Sequence, residues 1–201
     1  MADEAIDQAL ESLFPHAIKA YAKFREDDIR EISDVLLHHG MYSWSRIPRI
    51  YITLRLINQI AAIEAFIALG ITDLAFPFTH ATLPEALQSP KVRSDFLIAQ
   101  DSVLTKALDL EKEDGRHRHL ASCSDAPFQK LAELGKGGYG YVDKVRSTIS
   151  HREYARKLIP RGRTFRKDKV VLNSFERKLG TLKRLTHIHI VELVGSYTDP
   201  K

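Results

Sequence analysis

The chain has 201 residues, 44% of them hydrophobic and 28% charged, with a net charge of +4 and a single cysteine, Cys123. That balance supports one or two folded domains with their own cores, and it excludes a disordered chain and an internal disulfide framework. A bilayer span is also excluded, because the most apolar window, Leu54 to Leu69, is interrupted by Arg55, Asn58, Gln59 and Glu64. The lone cysteine and an acidic N-terminus without a signal-peptide pattern point to a cytoplasmic protein.

The net charge conceals a division. Residues 1–115 hold 11 Lys and Arg against 18 Asp and Glu, a balance of −7; residues 116–201 hold 19 against 8, a balance of +11. Two units meeting near residue 115 are expected, and the second has the sign to receive an anion.

The first half reads as helices. "DEAIDQALESLF" opens with acidic residues, which suit the positive end of a helix dipole. "HAIKAYAKFREDDIREISDVLLHHG" carries Ile18, Tyr21, Ala22, Ile29, Ile32 and Leu36 at helical spacing, with Gly40 as a stop. "RIPRIYITLRLINQIAAIEAFIALG" is apolar on nearly every side and predicts one central buried helix ending at Gly70. After the turn-rich "ITDLAFPFTHATLPEALQ", a further helix is expected. It starts at Ser89 as cap and Pro90 as first helical residue, with Phe96, Val103, Leu104, Ala107 and Leu108 on its inner face. No nucleophile motif occurs in this half, so residues 1–115 are expected to form a helical interaction or regulatory domain with a protein partner.

Residues 116–127 are polar and contain Pro127, as a linker would. Short strand-like runs follow: "FQKLAEL", "GYVDKVRS" and "EYARKLIP". Then come a basic loop "RGRTFRKDK", a helical "VVLNSFERKLGTLKRL" and a strand-like "HIVELVGSYT".

Between the first two strands, "ELGKGGYGYV" places four glycines within six residues. Glycine is costly to order in a helix or strand centre, so a special use is indicated. A P-loop needs Gly-Lys followed by Ser or Thr, but Gly137 follows Lys136. The dinucleotide fingerprint matches Gly135, Gly137 and Gly140, yet it requires a helix next and an acidic residue about twenty positions on. Neither is present. The remaining type, G-x-G-x-x-G-x-V in a strand–turn–strand, is met by Gly135, Gly137, Gly140 and Val142.

With "REYARKLIPR" and "LKRLTHIHIVELVGSYTD", this loop makes residues 128–201 resemble the N-lobe of a eukaryotic-type serine/threonine protein kinase. The closest likeness is to fungal kinases that carry a helical N-terminal region. The resemblance implies an α+β chain: an all-α domain at 1–115, a linker at 116–127, and a partial kinase domain at 128–201 of antiparallel strands plus one αC-like helix. It implies ATP as ligand. Gly135, Lys136, Gly137, Gly138, Tyr139 and Gly140 would form the flap over the phosphates, with Tyr139 at its tip, and Leu134 and Val142 would press on the adenine. Ala155 and Lys157 stand two apart on a strand and so share a face. Ala155 would lie beside the adenine and Lys157 would reach the phosphates.

Two departures follow. The family's ion-pair glutamate stands fifteen positions before the leucine of the HIV-x-L element; here that leucine is Leu193 and the position holds Lys178. Lys178 would repel Lys157 rather than hold it. A longer helix with Glu176 as the partner is the alternative register. The 201 residues also contain neither H-R-D nor D-F-G, so magnesium ligands and phosphoryl transfer to Ser/Thr are expected only where a second lobe is supplied, and the chain alone is expected not to turn over. The competing class is a non-catalytic interaction protein. The His pairs 117/119 and 187/189 lack further ligands at metal-site spacing. The run Arg161, Arg163, Arg166, Lys167, Lys169 is expected to be a solvated loop more than a nucleic-acid surface, having only Phe165 to stack on a base, with docking on an acidic partner or on the acidic first half as a further alternative.

Overall fold

The computed structural model describes residues 6, 8–10, 12–14, 23–112, 117–138, 140–162, 164–185 and 187–199. Ile18, Tyr21, Ala22, Tyr139 and Arg163 lie outside them.

Helix α1 (Glu26–His38) buries Ile29, Ile32 and Leu36, the stripe expected from a 3.6-residue period. Glu26, Asp27 and Asp28 crowd its positive end, where the Asp28 carboxylate accepts the Arg25 N–H at 2.8 Å. It stops at Gly40, whose φ of +80° turns the chain so that Met41 N–H donates to Leu36 carbonyl at 2.9 Å. A short α2 (Tyr42–Ser45) leads into α3 (Pro48–Leu56), which has Pro48 in its first turn and is buried at every residue from Pro48 to Leu54.

The single helix expected to run to Gly70 is broken. α3 ends at Leu56, Asn58 takes φ +54°, and Gln59 N–H donates back to Leu54 carbonyl at 2.8 Å. Asn tolerates this left-handed turn as Val or Leu would not. A 3-10 turn (Ile60–Ala62) and α4 (Ile63–Ala68) follow. The helix expected from Ser89 is likewise shorter. α5 covers Pro90–Ala99, then 3-10 turns at Gln100–Ser102 and Lys106–Glu111 replace it. The break has a local cause, since Gln100 turns its buried amide onto the backbone of Phe78, accepting its N–H at 2.7 Å and donating to its carbonyl at 3.0 Å. Phe66, Phe76, Phe78 and Phe96 pack edge-on and stacked around this point, with centroids 4.9–6.3 Å apart.

Among the described residues of this half, the ionic side chains of Glu26, Arg49 and Asp73 are buried. Arg49 lies between Glu26 and Asp73, and Glu26 also accepts the Thr105 hydroxyl. Asp73 caps α3 from a distant 3-10 turn (Asp73–Ala75), accepting the N–H of Arg49 at 2.9 Å and of Ile50 at 3.1 Å. Burial pushes the Asp73 carboxyl from 3.8 up to about 6, against the pull of Arg49. An acid whose folded pKa is raised contributes stability that is complete below its unfolded pKa and lost as pH climbs through the folded one. The window therefore runs from 3.8 to about 6. Asp73→Asn is expected to flatten the fall in stability across it, measured by Trp44 fluorescence in urea; a profile identical to wild type would contradict this.

The second half is built on a three-stranded antiparallel sheet of order β2–β3–β4: β2 (Phe128–Gly137), β3 (Gly140–Ser147) and β4 (Glu153–Leu158). Helix α6 (Phe165–Leu182) begins inside the run expected to be a basic loop, so Arg166, Lys167 and Lys169 belong to its first turns. The expected final strand shrinks to β5 (Ser196–Thr198), and it does not join the antiparallel sheet. It pairs in parallel with β1 (His117–His119), which lies in the segment expected to be a linker. The pairing is sealed by a small core of Leu110, Leu120 and Ala126 with Phe128 and Tyr197. It also needs glycine at 195, where a Cβ would stand 2.2 Å from the Leu110 carbonyl oxygen. The architecture is α+β, and among the described residues no helix is long and apolar enough to cross a membrane.

Candidate functional site

The glycine-rich stretch is a hairpin. Gly137 pairs with Gly140, Lys136 with Tyr141 and Gly135 with Val142; no helix follows Gly140. Gly140 closes the turn with φ +139°, and a Cβ there would lie 1.9 Å from the carbonyl oxygen of Leu158 on β4. Only glycine allows that approach. Gly135, Gly137 and Gly138 have nothing within 4 Å of an added Cβ, so the backbone at these three glycines is uncrowded.

β4 continues the row. Val142 pairs with Lys157, and Lys144 with Ala155. Directly opposed residues of antiparallel strands carry their side chains on one face. Val142, Lys157 and Ala155 therefore share a face, with Gly135 in register at the flap end. Along β4 the exposure alternates: Glu153, Ala155 and Lys157 are exposed, while Tyr154, Arg156 and Leu158 are half-buried. The other face of the sheet is occupied. There Phe128 packs on Tyr154 and Tyr197, and Arg156 bonds Asp143 and the Tyr197 hydroxyl, both at 3.3 Å. The face with Lys157 is the open one.

Charge on that face is graded. At its far end Glu153 accepts Lys144 at 2.7 Å and Arg146 at 3.1 Å, and these bonds hold its carboxyl below the usual range. Lys157 is exposed and makes no ion pair among the described residues. Lys136 places its amine 5.2 Å from the Tyr141 ring centroid, a cation–π contact that holds it along the hairpin. Leu134 is the extra residue of a β-bulge between Glu133 and Gly135 and is exposed.

The helix does not supply an anion to Lys157. Glu176 and Lys178 are both exposed on α6, and neither pairs with Lys157. α6 is tied instead to β1, where the Phe175 ring meets His117 edge-on at 5.9 Å. The histidines of β1 are engaged along the parallel pair: His117 Nδ1 lies 3.0 Å from Ser196 Oγ, and His119 Nδ1 lies 2.6 Å from Thr198 Oγ1. Burial, with His119 and Lys183 nearby, holds the His117 pKa below its ordinary value. Sequence reasoning missed this pairing, and it missed Ile149. That residue is a lone apolar side chain in a polar turn, and it is buried in the core of the helical half.

A glycine-closed hairpin, two further strand positions bearing Ala and Lys on its open face, and a following helix make up the candidate site. The protein named eukaryotic translation initiation factor 2-alpha kinase 1, from Schizosaccharomyces pombe, is 38% identical to this chain over 73 residues, which are 36% of the chain and 10% of the kinase. This partial similarity supports a relationship to protein kinases over a small region. No family model matches the chain, and no solved structure matches it.

Proposed function

We propose that residues 128–199 bind ATP as the N-terminal lobe of a serine/threonine protein kinase does, with Gly135–Gly140 over the phosphates, Leu134, Val142 and Ala155 at the adenine, and Lys157 towards the α- and β-phosphates. The observation that carries this is the cross-strand row Gly135–Val142–Lys157 on an open face. It puts bare backbone, an apolar contact and an exposed ammonium side by side on three adjacent strands, each about 4.8 Å from the next. Phosphoryl transfer to protein Ser or Thr belongs to the complete kinase domain, because aspartates from a second lobe carry the base and the magnesium.

Titration calorimetry with Mg–ATP tests the reading, and saturable binding is expected. The kinase register places Lys178 where a glutamate would hold the strand lysine, so Lys178→Glu is expected to tighten binding several-fold. Weaker or unchanged affinity would refute that register.

A non-catalytic interaction protein is the second reading, and the exposure of Ile188 (90%) and Val191 (81%) favours it. Absence of any saturable nucleotide binding would decide for it.

A further inference from the structure

Ile149 sits in the turn Thr148–Ser150 that joins β3 to β4, yet it is 0% exposed and lies in the core that α1, α3 and α4 build. A side chain from the sheet is thus an integral part of the helical half's core. The turn that presents it is braced at each residue. The buried Ser147 Oγ accepts the N–H of Ile149 at 3.0 Å and of Ser150 at 3.1 Å. Thr148 N–H donates to Pro127 carbonyl at 2.8 Å, and Ser147 N–H to Arg152 carbonyl at 2.9 Å. His151, at φ +58°, sets its Nε2 3.0 Å from the Arg46 carbonyl at the end of α2. The ladder beyond the turn is unbroken, running from Arg146–Glu153 to Tyr141–Leu158 without a bulge, whereas the β2–β3 ladder has two.

From these observations we infer that the helical half is the mount of the nucleotide-binding sheet: Ile149, with His151, makes the β3–β4 hairpin a stiff arm whose far end carries Val142 and Lys157. The inference rests on the ATP reading for its functional consequence but not for its structural one. Ile149 is a positioning residue. It lies in the turn, with four ladder residues, about 13 Å, between the Arg146–Glu153 pair and the Val142–Lys157 pair, and acts on them only through the arm. Repacking of the helical core at Ile149 tilts the row beneath the flap. Because coupling of two sites is reciprocal, a ligand held by the row also tightens the helical core.

The test uses the full chain. Ile149→Ala is expected to raise amide exchange in Glu153–Leu158 and in α3, and to weaken Mg–ATP binding on the order of fivefold, with far-UV circular dichroism unchanged. Ile149→Val is expected to keep most of the wild-type behaviour; if the alanine variant fails to fold, His151→Ala, which removes only the contact to the Arg46 carbonyl, carries the test, with faster exchange in Glu153–Leu158 expected and unchanged exchange overturning the mount. Saturating Mg–ATP is expected to slow exchange in α1 and α3 of the wild type but not of Ile149→Ala. Unchanged β4 exchange in a folded Ile149→Ala overturns the mount. If the wild type binds no nucleotide, the ATP reading fails by itself and the exchange measurement still decides the mount. Equal nucleotide affinity in wild type and a folded Ile149→Ala overturns the coupling alone.

Discussion

Replacing Arg49 with methionine is expected to destabilise the helical half by about 3–5 kcal/mol, the cost of removing one partner of a buried ion pair. A whole domain is stable by only about 5–15 kcal/mol, so this change alone brings the half close to unfolding. Glu26 and Asp73 would remain in the core with no cation, because Arg49 is the basic side chain buried with them. Asp73 could not simply turn away, since it holds the first N–H groups of α3. The triple change Arg49→Met, Glu26→Gln, Asp73→Asn is expected to recover most of the loss, as neutral replacements of buried ion networks commonly do. Trp44 donates its indole N–H to Glu64 and packs 5.9 Å from Tyr51 within this half, so its fluorescence in urea reports the transition. A midpoint for Arg49→Met equal to that of wild type would contradict the account.

Gly140→Ala is expected to abolish the hairpin geometry of the candidate site. Alanine at a positive φ costs more than about 1 kcal/mol before any contact is counted. Here its methyl group would also meet the Leu158 carbonyl oxygen at 1.9 Å, a distance that backbone must move to relieve. Leu158 is the neighbour of Lys157 and the register partner of Tyr141, so relieving the clash displaces the end of the strand that carries the lysine. Mg–ATP affinity is expected to fall more than tenfold, which corresponds to about 1.4 kcal/mol. Gly180→Ala on α6 is the control, since it stands outside the site and nothing lies within 4 Å of its added Cβ, and it is expected to change affinity by less than about twofold. Equal effects of the two substitutions would show that the turn does not have the closed form described.

The sheet was legible in the sequence because its signals are local. Gly135 to Gly140 can close a hairpin only between two strands, and the alternation of Glu153 to Leu158 gives one wet and one dry face; both appear as expected. The α+β class follows from the same contrast between 3.6-residue and 2-residue periods. The interruptions of the long helices were less visible. Asn58 lies in a strongly apolar run and ends α3 through a single left-handed residue, which hydrophobic periodicity does not register. Long-range pairings were hidden altogether. The three residues of β1 and the three of β5 are too short to announce a parallel pair, and Asp73 reads as a turn residue until α3 is placed above it. Ile149 was invisible for the same reason: one isoleucine among Ser147, Thr148, Ser150 and His151 has no period, and its burial depends on a core assembled from residues 6–108. At the site, the residues expected around Gly135, Val142 and Lys157 are brought into one row. Among the described residues no carboxylate, Glu176 included, is brought to the lysine.

The central claim is that the amine two residues beyond Ala155 receives a polyphosphate beneath the Gly135–Gly140 turn. Parallel calorimetric titrations of wild type and Lys157→Ala with Mg–ATP test it most directly, because Lys157 is exposed and makes no ion pair among the described residues, so its removal is expected to leave the sheet intact. Saturable heat in the wild type that weakens at least tenfold in Lys157→Ala is the expected result. Binding of equal strength in the two proteins, or none in either, would contradict it.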